Sequence, residues 1–447
     1  MPSDIRERVI NALEKQIFTP YRLFIADSTS RPGWFFCDSN WNAVCHGGSV
    51  RAALAVLPSR YDRAAFLEAG ERCIRHYTHG FYSDGVCKEG MDYWNYGYFN
   101  FINFALSVRR MTGGNVDFLA DEQSKRNFAF AFGGMLEPWI SPHFADGGAN
   151  PNPRNVALGA QVWPEFASAK SDAVSIFAGE LAMQSVRMFE PGAIDRAKSP
   201  KRDDDLTLPK RTWYPAAQIL TSRPIDCRTG GLAATMKGGS NAEHHNHNDL
   251  GSYAILFGGI EMAGDPGGAV YTKTTFTARR YENPMINSFG HPVPVVAGKL
   301  QEAGKKFAGK VIRTEFTDER DCYALDLTNA YDVPELKQLV RAMIYRRGQP
   351  SVTFRDIAKF SKPSTFETAV ITYADAKRAD DDSSWILSAG NPKRELAVKI
   401  DVRAGGAWKI RRETVPNPKR REPTRLAVVF SEPVLDADVR ITFSPVK

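Results

Sequence analysis

The chain has 447 residues, 43% of them apolar and 24% charged, with a formal net charge of +7 at neutral pH. That length exceeds what one hydrophobic core normally serves, and the composition excludes a disordered or collagen-like chain, so two folded domains are expected. No compact nucleic-acid-binding motif accompanies the basic excess, and no apolar run is long enough to span a bilayer.

The N-terminal segment SDIRERVINALEKQIF is an amphipathic helix with early charges, unlike the apolar core of a secretory leader. The protein is therefore expected to be soluble: periplasmic or secreted if a leader has been removed, otherwise cytoplasmic. Further helices are predicted at GGSVRAALAVL, DRAAFLEAGERCIRHY, YFNFINFALSVRRM and SDAVSIFAGELAMQSVRMF, where apolar residues recur every three or four positions. Turn-rich stretches such as HFADGGANPNPRN separate them. Residues 1–200 thus read as a helical array of hairpins. The polar, Pro-punctuated stretch EPGAIDRAKSPKRDDDLTLPKR, at about 190–211, makes the best domain boundary.

From 211 to 447 the pattern changes to short β-branched or aromatic runs bounded by turn formers. Examples are AAQILTS, GSYAILFGG, CYALDLTN, LVRAMIYRR, SVTFRDIAKF, FETAVITY, LAVKIDVR, RLAVVFS and ADVRITF. Their recurrence predicts a large antiparallel β-domain. The late run NPKRREPTR reads as a basic hairpin tip in solvent. Six scattered cysteines without CxxC pairs do not make a disulfide framework, although one or two bridges are allowed.

Four of the eight histidines fall within 244–291, three of them in NAEHHNHND. Placed on a strand, His245 and His247 would share one face. Asp265 follows in GDPGG, where glycines permit a tight turn, and His291 follows in NSFGHPVPVV. Two imidazoles and a carboxylate form a zinc-type donor set. The bland alternative is a set of hydrogen-bonded histidines in a β-core. A cupin-like metal site, with HxH on a strand and Asp249 in place of the usual Glu, competes with it.

In the helical half, DSNWNAVCHGG would place Asn42 and His46 on one helical face, suited to neutralising a carboxylate. Gly47 and Gly48 would equally suit a helix C-cap. The segment KEGMDYWNYGYFNF crowds Tyr93, Trp94, Tyr96 and Tyr98 together. Such aromatics are usually core, yet sugar rings also stack on them.

Together NWNAVCHGG, EGMDYWNYG, NAEHHNHNDLGSYAILFGGIEMAGDPGG, ARRY and NSFGHPVPVV resemble the heparinase II/III-like polysaccharide lyases, in family order across about residues 38–300. The resemblance implies a multidomain α+β fold: an N-terminal incomplete (α/α) toroid followed by C-terminal antiparallel β-sandwich sheets, with the substrate cleft between them. It implies β-elimination at the uronic acid of an acidic polysaccharide. There a donor neutralises the carboxylate, a base takes the C5 proton and an acid protonates the departing O4. By motif position, Asn42 and His46 would neutralise or assist, Tyr96 would be the main base or acid, and His245 the alternative base. Tyr93, Trp94, Tyr98, Tyr271 and Tyr281 would contact substrate. His247, Asp265 and His291 would hold a structural zinc. The partner is then an acidic polysaccharide or oligosaccharide, not nucleic acid or membrane, with a homodimer as the default assembly. A zinc-dependent glycan hydrolase, with Glu243 as base, and a non-catalytic acidic-glycan-binding protein are the alternatives.

Overall fold

The computed structural model describes residues 3–27, 33–148, 150–166, 206–226, 230–379, 381 and 383–446. The predicted helix at SDAVSIFAGELAMQSVRMF and most of the predicted boundary stretch lie outside the described residues. The chain forms two compact units that do not follow chain order. One comprises Met1–Cys87, Met91–Ala131 and Pro151–Leu206; the other comprises Lys88–Gly90, Phe132–Asn150 and Thr207–Lys447.

In the first unit the described helices are α1 (Ser3–Leu13), which runs through a π-helical turn into α2 (Thr19–Ala26), α3 (Asn40–Val56), α4 (Arg60–Gly80), α5 (Met91–Met111), α6 (Glu122–Gly133, counted there up to Ala131) and α7 (Pro153–Val162). The aromatic helix α5 turns Trp94, Tyr98, Phe101, Ile102, Ala105 and Val108 inward, the three-to-four spacing of a buried stripe. Trp94 stacks on Tyr98 with ring centroids 5.2 Å apart. Gly47 and Gly48 do not cap a helix: α3 continues through them to Val56. A Cβ at Gly47 would lie 3.0 Å from the Asn100 carbonyl oxygen, so glycine there lets α5 approach closely.

The second unit is antiparallel throughout. One sheet runs β1 (Arg211–Tyr214), β2 (Ile219–Ser222), β3 (Leu232–Lys237), β5 (Tyr253–Phe257), β6 (Ile260–Gly264). An eight-stranded sheet runs β14 (Asp375–Arg378), β15 (Ser384–Ala389), β16 (Arg394–Ala404), β19 (Val434–Pro445), β12 (Ser351–Ser364), β11 (Leu336–Arg346), β10 (Arg320–Asp326), β9 (Lys310–Phe316). A four-stranded sheet runs β17 (Trp408–Thr414), β18 (Thr424–Phe430), β13 (Phe366–Thr372), β7 (Val295–Val296), and β4 (Ser240–Asn241) pairs with β8 (Gly304–Ala308). Each strand predicted above is present. Alternation explains the layering: β19 buries Ala437, Val439, Ile441 and Phe443 and turns the residues between them outward. These side chains meet Tyr253, Ile255 and Met236 of the five-stranded sheet in one apolar core. Tyr253 stacks on Phe354 at 3.8 Å. None of the five described cysteines forms a disulfide, so burial and hydrogen bonds hold the described fold.

Candidate active site and metal centre

The histidine segment is a turn, not the strand expected from its HxH spacing, and this removes the support for a cupin-like site. His245 takes a left-handed backbone with φ of 56°, a conformation that costs a non-glycine residue about 1–2 kcal/mol and persists only where its surroundings enforce it. The turn is clamped from two sides. The Gln301 side chain accepts from the Leu250 amide and donates to the Leu250 carbonyl, both at 2.8 Å. Ser288 Oγ donates to the Asn248 carbonyl at 2.7 Å.

The turn aims both histidines at one carboxylate that sequence reasoning missed. Asp146 Oδ2 lies 2.7 Å from His245 Nδ1 and accepts from the Tyr271 hydroxyl at 2.9 Å. Its Oδ1 lies 3.0 Å from His247 Nε2 and accepts from Arg280 Nη2 at 2.8 Å. Burial pushes the Asp146 carboxyl up, but the hydrogen bonds from His245 and His247 and the nearby Arg280 charge more than offset it, holding the group well below the usual carboxylate range. Asp146 sits in HFADGG, a stretch that reads locally as a linker. Its one sequence signal is that DGG echoes the GDPGG turn. The two turns pack together: a Cβ on Gly268 would fall 3.0 Å from the Asp146 carbonyl oxygen.

On its other side, His245 Nε2 lies 3.5 Å from Oε1 of Glu89, a residue of the EGMDYWNYG motif that received no role from sequence. Exposed Phe276 packs edge-on to His245 at 5.6 Å and to Tyr271 at 5.1 Å, so it joins Tyr271 as a surface aromatic. Tyr281 is half-buried, its hydroxyl 3.5 Å from Asn246 Nδ2. Glu243, the base a hydrolase would need, accepts from Ser240 Oγ at 3.1 Å.

His247, Asp265 and His291 come together as expected, fully buried, with one donor atom of each within 4.8 Å of the others. The donor set fits a zinc-type ion. His247 Nδ1 is buried without a hydrogen-bond partner, while its Nε2 is taken by Asp146. His291 Nε2 lies 3.1 Å from the Met285 carbonyl, and its Nδ1 lies 3.2 Å from Asp265 Oδ2. Each imidazole thus has one nitrogen on an acceptor, Asp146 for His247 and the Met285 carbonyl for His291, as the supporting partners of metal-binding histidines usually are. Burial lowers the His247 pKa, favouring the neutral ring a metal requires. Asp249, by contrast, pairs with Lys237 at 2.7 Å.

The helical residues have different fates. Asn42 and His46, expected to meet a substrate carboxylate, are fully buried and not open to one. Asn42 Nδ2 donates to the Phe35 carbonyl at 2.8 Å. His46 Nδ1 lies 2.8 Å from the Tyr21 hydroxyl and its Nε2 lies 3.1 Å from the Phe35 carbonyl. Trp94 and Tyr98, expected among the sugar-contacting aromatics, are buried too. They donate to the Asn127 and Ser124 carbonyls at 2.7 and 2.8 Å. The helical period gives the reason: positions four apart share the inner face, which leaves Tyr93 half-buried and Tyr96 exposed.

Burial lowers the His46 pKa to about 4. A histidine depressed in the folded state contributes fully above its unfolded value and loses that contribution as pH falls toward the folded one. Acidification to about pH 5 should therefore remove on the order of 2 kcal/mol of stability through this residue. Denaturant melts of the wild type and His46→Gln at pH 7 and 5 check this. An equal pH response in both would sink the assignment.

No protein-family model and no curated protein sequence matches this chain. Solved structures do. The "Heparinase III-BT4657 gene product, Methylated Lysines" matches with a TM-score of 0.67 at 13% identity, covering 91% of this chain and 58% of its own. Heparan sulfate lyase HepC from Pedobacter heparinus matches with a TM-score of 0.64 at 13% identity, covering 91% and 60%. A further heparinase III structure matches with a TM-score of 0.66 at 11% identity, covering 91% and 61%. The chain thus spans about three fifths of the length of these structures, and at such identities the likeness is one of fold. The multidomain α+β architecture of this protein is that of the heparinase III structures.

Proposed function

We propose that this protein is a polysaccharide lyase that breaks a uronic-acid-containing acidic glycan by β-elimination, with His245 as a proton-transfer group. One observation carries the reading: a buried carboxylate, Asp146, holds His245 by Nδ1 and takes the hydroxyl of half-exposed Tyr271 on the same oxygen. An Nδ1–H donated to Asp146 fixes the tautomer in which Nε2 carries the lone pair, so Nε2 accepts the C5 proton. Tyr271, whose hydroxyl lies 3.2 Å from His245 Nδ1, would hand a proton to the departing O4. Phe276 and Tyr271 offer faces on which a sugar ring stacks. The likeness to heparan sulfate lyase structures supports this reading over the hydrolase. In the helical unit, Tyr96 is the candidate for a further acid–base hydroxyl, being the exposed tyrosine of α5.

The test is an ultraviolet scan of products from a panel of acidic polysaccharides. New absorbance from an unsaturated uronate is expected with the wild type, with a loss of at least ~100-fold in His245→Ala and a clear loss in Tyr96→Phe. Reducing ends without that absorbance would make the enzyme a hydrolase. No product across the panel would leave glycan binding as the better account.

His247, Asp265 and His291 would hold a structural zinc, which cross-links the histidine turn, the GDPGG turn and the GHPVPVV segment when bound. Purified protein should then contain about one zinc per chain, with affinity falling roughly 10–100-fold when the supporting carboxylate is removed in Asp146→Asn. Chelation should lower the melting temperature. A metal-free preparation whose melting is unmoved by added zinc would rule the site out.

A further inference from the structure

The sequence singled out one motif that the proposed chemistry does not use: the basic run in the loop between β17 and β18. Read locally it is a hairpin tip in solvent. In the structure it is fastened to the site. Arg420 Nη1 donates to the Gly268 carbonyl at 3.0 Å. Arg421 donates to the Tyr373 carbonyl and lies 5.6 Å from the centre of the Tyr373 ring. The Tyr373 hydroxyl in turn reaches the Pro266 carbonyl at 3.4 Å. Both anchors therefore end on the Asp265–Gly268 turn, whose Gly268 packs on the backbone of Asp146.

The loop is also built to hold its shape. Buried Asn417 donates from Nδ2 to the Arg421 carbonyl at 3.1 Å, and Val415 N bonds the Pro423 carbonyl at 3.0 Å. Lys419 sits at the tip with a left-handed φ of 70°. Lys419, Arg420 and Arg421 are all exposed, and among the described residues none is paired with a carboxylate. Two cations of the same hairpin, Arg411 and Arg425, both pair with Glu367 and Glu413. Three uncompensated positive charges in sequence repel one another and lower the energy of an oxyanion brought beside them. Guanidinium forks match sulfate and carboxylate alike.

We propose that Lys419, Arg420 and Arg421 form an anion subsite that takes a sulfate or carboxylate on a sugar neighbouring the one acted on at His245. The proposal rests on the reading of that site as one for an acidic glycan. The rigid loop fixes where along the chain the next negative group must lie, and so selects charge-dense glycans.

Calorimetric titration of the full chain with size-defined heparan sulfate oligosaccharides and with unsulfated heparosan oligosaccharides tests it, using Arg420→Gln/Arg421→Gln and Lys419→Glu. Affinity should fall roughly tenfold in each variant, with a shallower salt dependence. A loss restricted to the sulfated series identifies sulfate; an equal loss in both identifies the carboxylate. Because Arg420 also bonds Gly268, Lys419→Glu at the exposed tip guards against a merely displaced loop. Variants that bind both series as the wild type does overturn the subsite, even if elimination is observed. Weakened variants of a wild type that yields no unsaturated product would overturn the lyase reading and leave the subsite standing. A wild type that binds neither series overturns the subsite, while the product scan across the full panel decides the lyase reading separately.

Discussion

Asp146→Asn should lower kcat by ~100- to 10,000-fold while leaving the protein folded. The carboxylate accepts four hydrogen bonds, from His245, Tyr271, His247 and Arg280. An amide has one acceptor oxygen and presents two N–H donors instead. Its nitrogen therefore faces either the His245–Tyr271 side or the His247–Arg280 side. On the first, it drives His245 toward the tautomer with Nε2 protonated, the wrong form to take a proton. On the second, it opposes the Arg280 guanidinium. The second orientation is disfavoured because a guanidinium cannot accept a hydrogen bond, so the residue acts through His245 as a positioning group. The measurement is kcat from unsaturated-product absorbance, with circular dichroism and a thermal melt as fold controls. A tautomer effect also has its own signature: the His245 ring-nitrogen NMR shifts should exchange Nδ1–H for Nε2–H. A kcat within about threefold of wild type would remove Asp146 from the mechanism.

Arg341→Met should destabilise the β-rich unit by about 3–5 kcal/mol. Arg341 is almost entirely buried and donates to both oxygens of Asp356 at 2.7 Å, to Thr368 Oγ1 at 3.0 Å and to the Gly251 carbonyl at 3.0 Å. It also donates to the Pro292 carbonyl. Gly251 closes the histidine turn and Pro292 follows His291, so one side chain in β11 fastens two of the segments that carry the site. Methionine fills the volume but leaves Asp356 as a buried charge with Thr368 as its remaining donor. Denaturant unfolding gives the loss. Arg341→Met/Asp356→Leu should recover much of it, because the cost lies in the stranded carboxylate rather than in a missing attraction. A single variant within about 1 kcal/mol of wild type would refute this account.

The parts legible from the sequence are those written in local periodicity. The strands of the second unit announce themselves by alternation and turn formers, and helices α1, α3, α4 and α5 by three-to-four spacing. The grouping of His247, Asp265 and His291 was legible for a related reason. They sit in dense, glycine-punctuated segments where ligand-type residues concentrate, and the family resemblance fixed their order. The inward stripe of α5 was equally present, since Trp94 and Tyr98 are four apart and Tyr96 falls between them. Weighing aromatic content ahead of that period placed two core residues in the substrate-binding group.

What the tertiary structure alone decided is which distant groups share a point in space. Asp146 lies 99 residues from His245 and 134 from Arg280, in a stretch whose own sequence asks only for turns. Arg420 meets Gly268 across 152 residues. Backbone propensity and amphipathic spacing act over a few residues, and they determine which segments become helices, strands and turns. The partner of a buried charge is set by how whole sheets close on one another, and a lone Asp in a turn carries no local mark of the four donors it will accept. The same holds for His46: nothing local distinguishes a histidine facing substrate from one sealed against Tyr21 and Phe35, because burial is a property of the packed unit. The local elements were thus readable in the residues, and the positions at which distant side chains meet came from the fold.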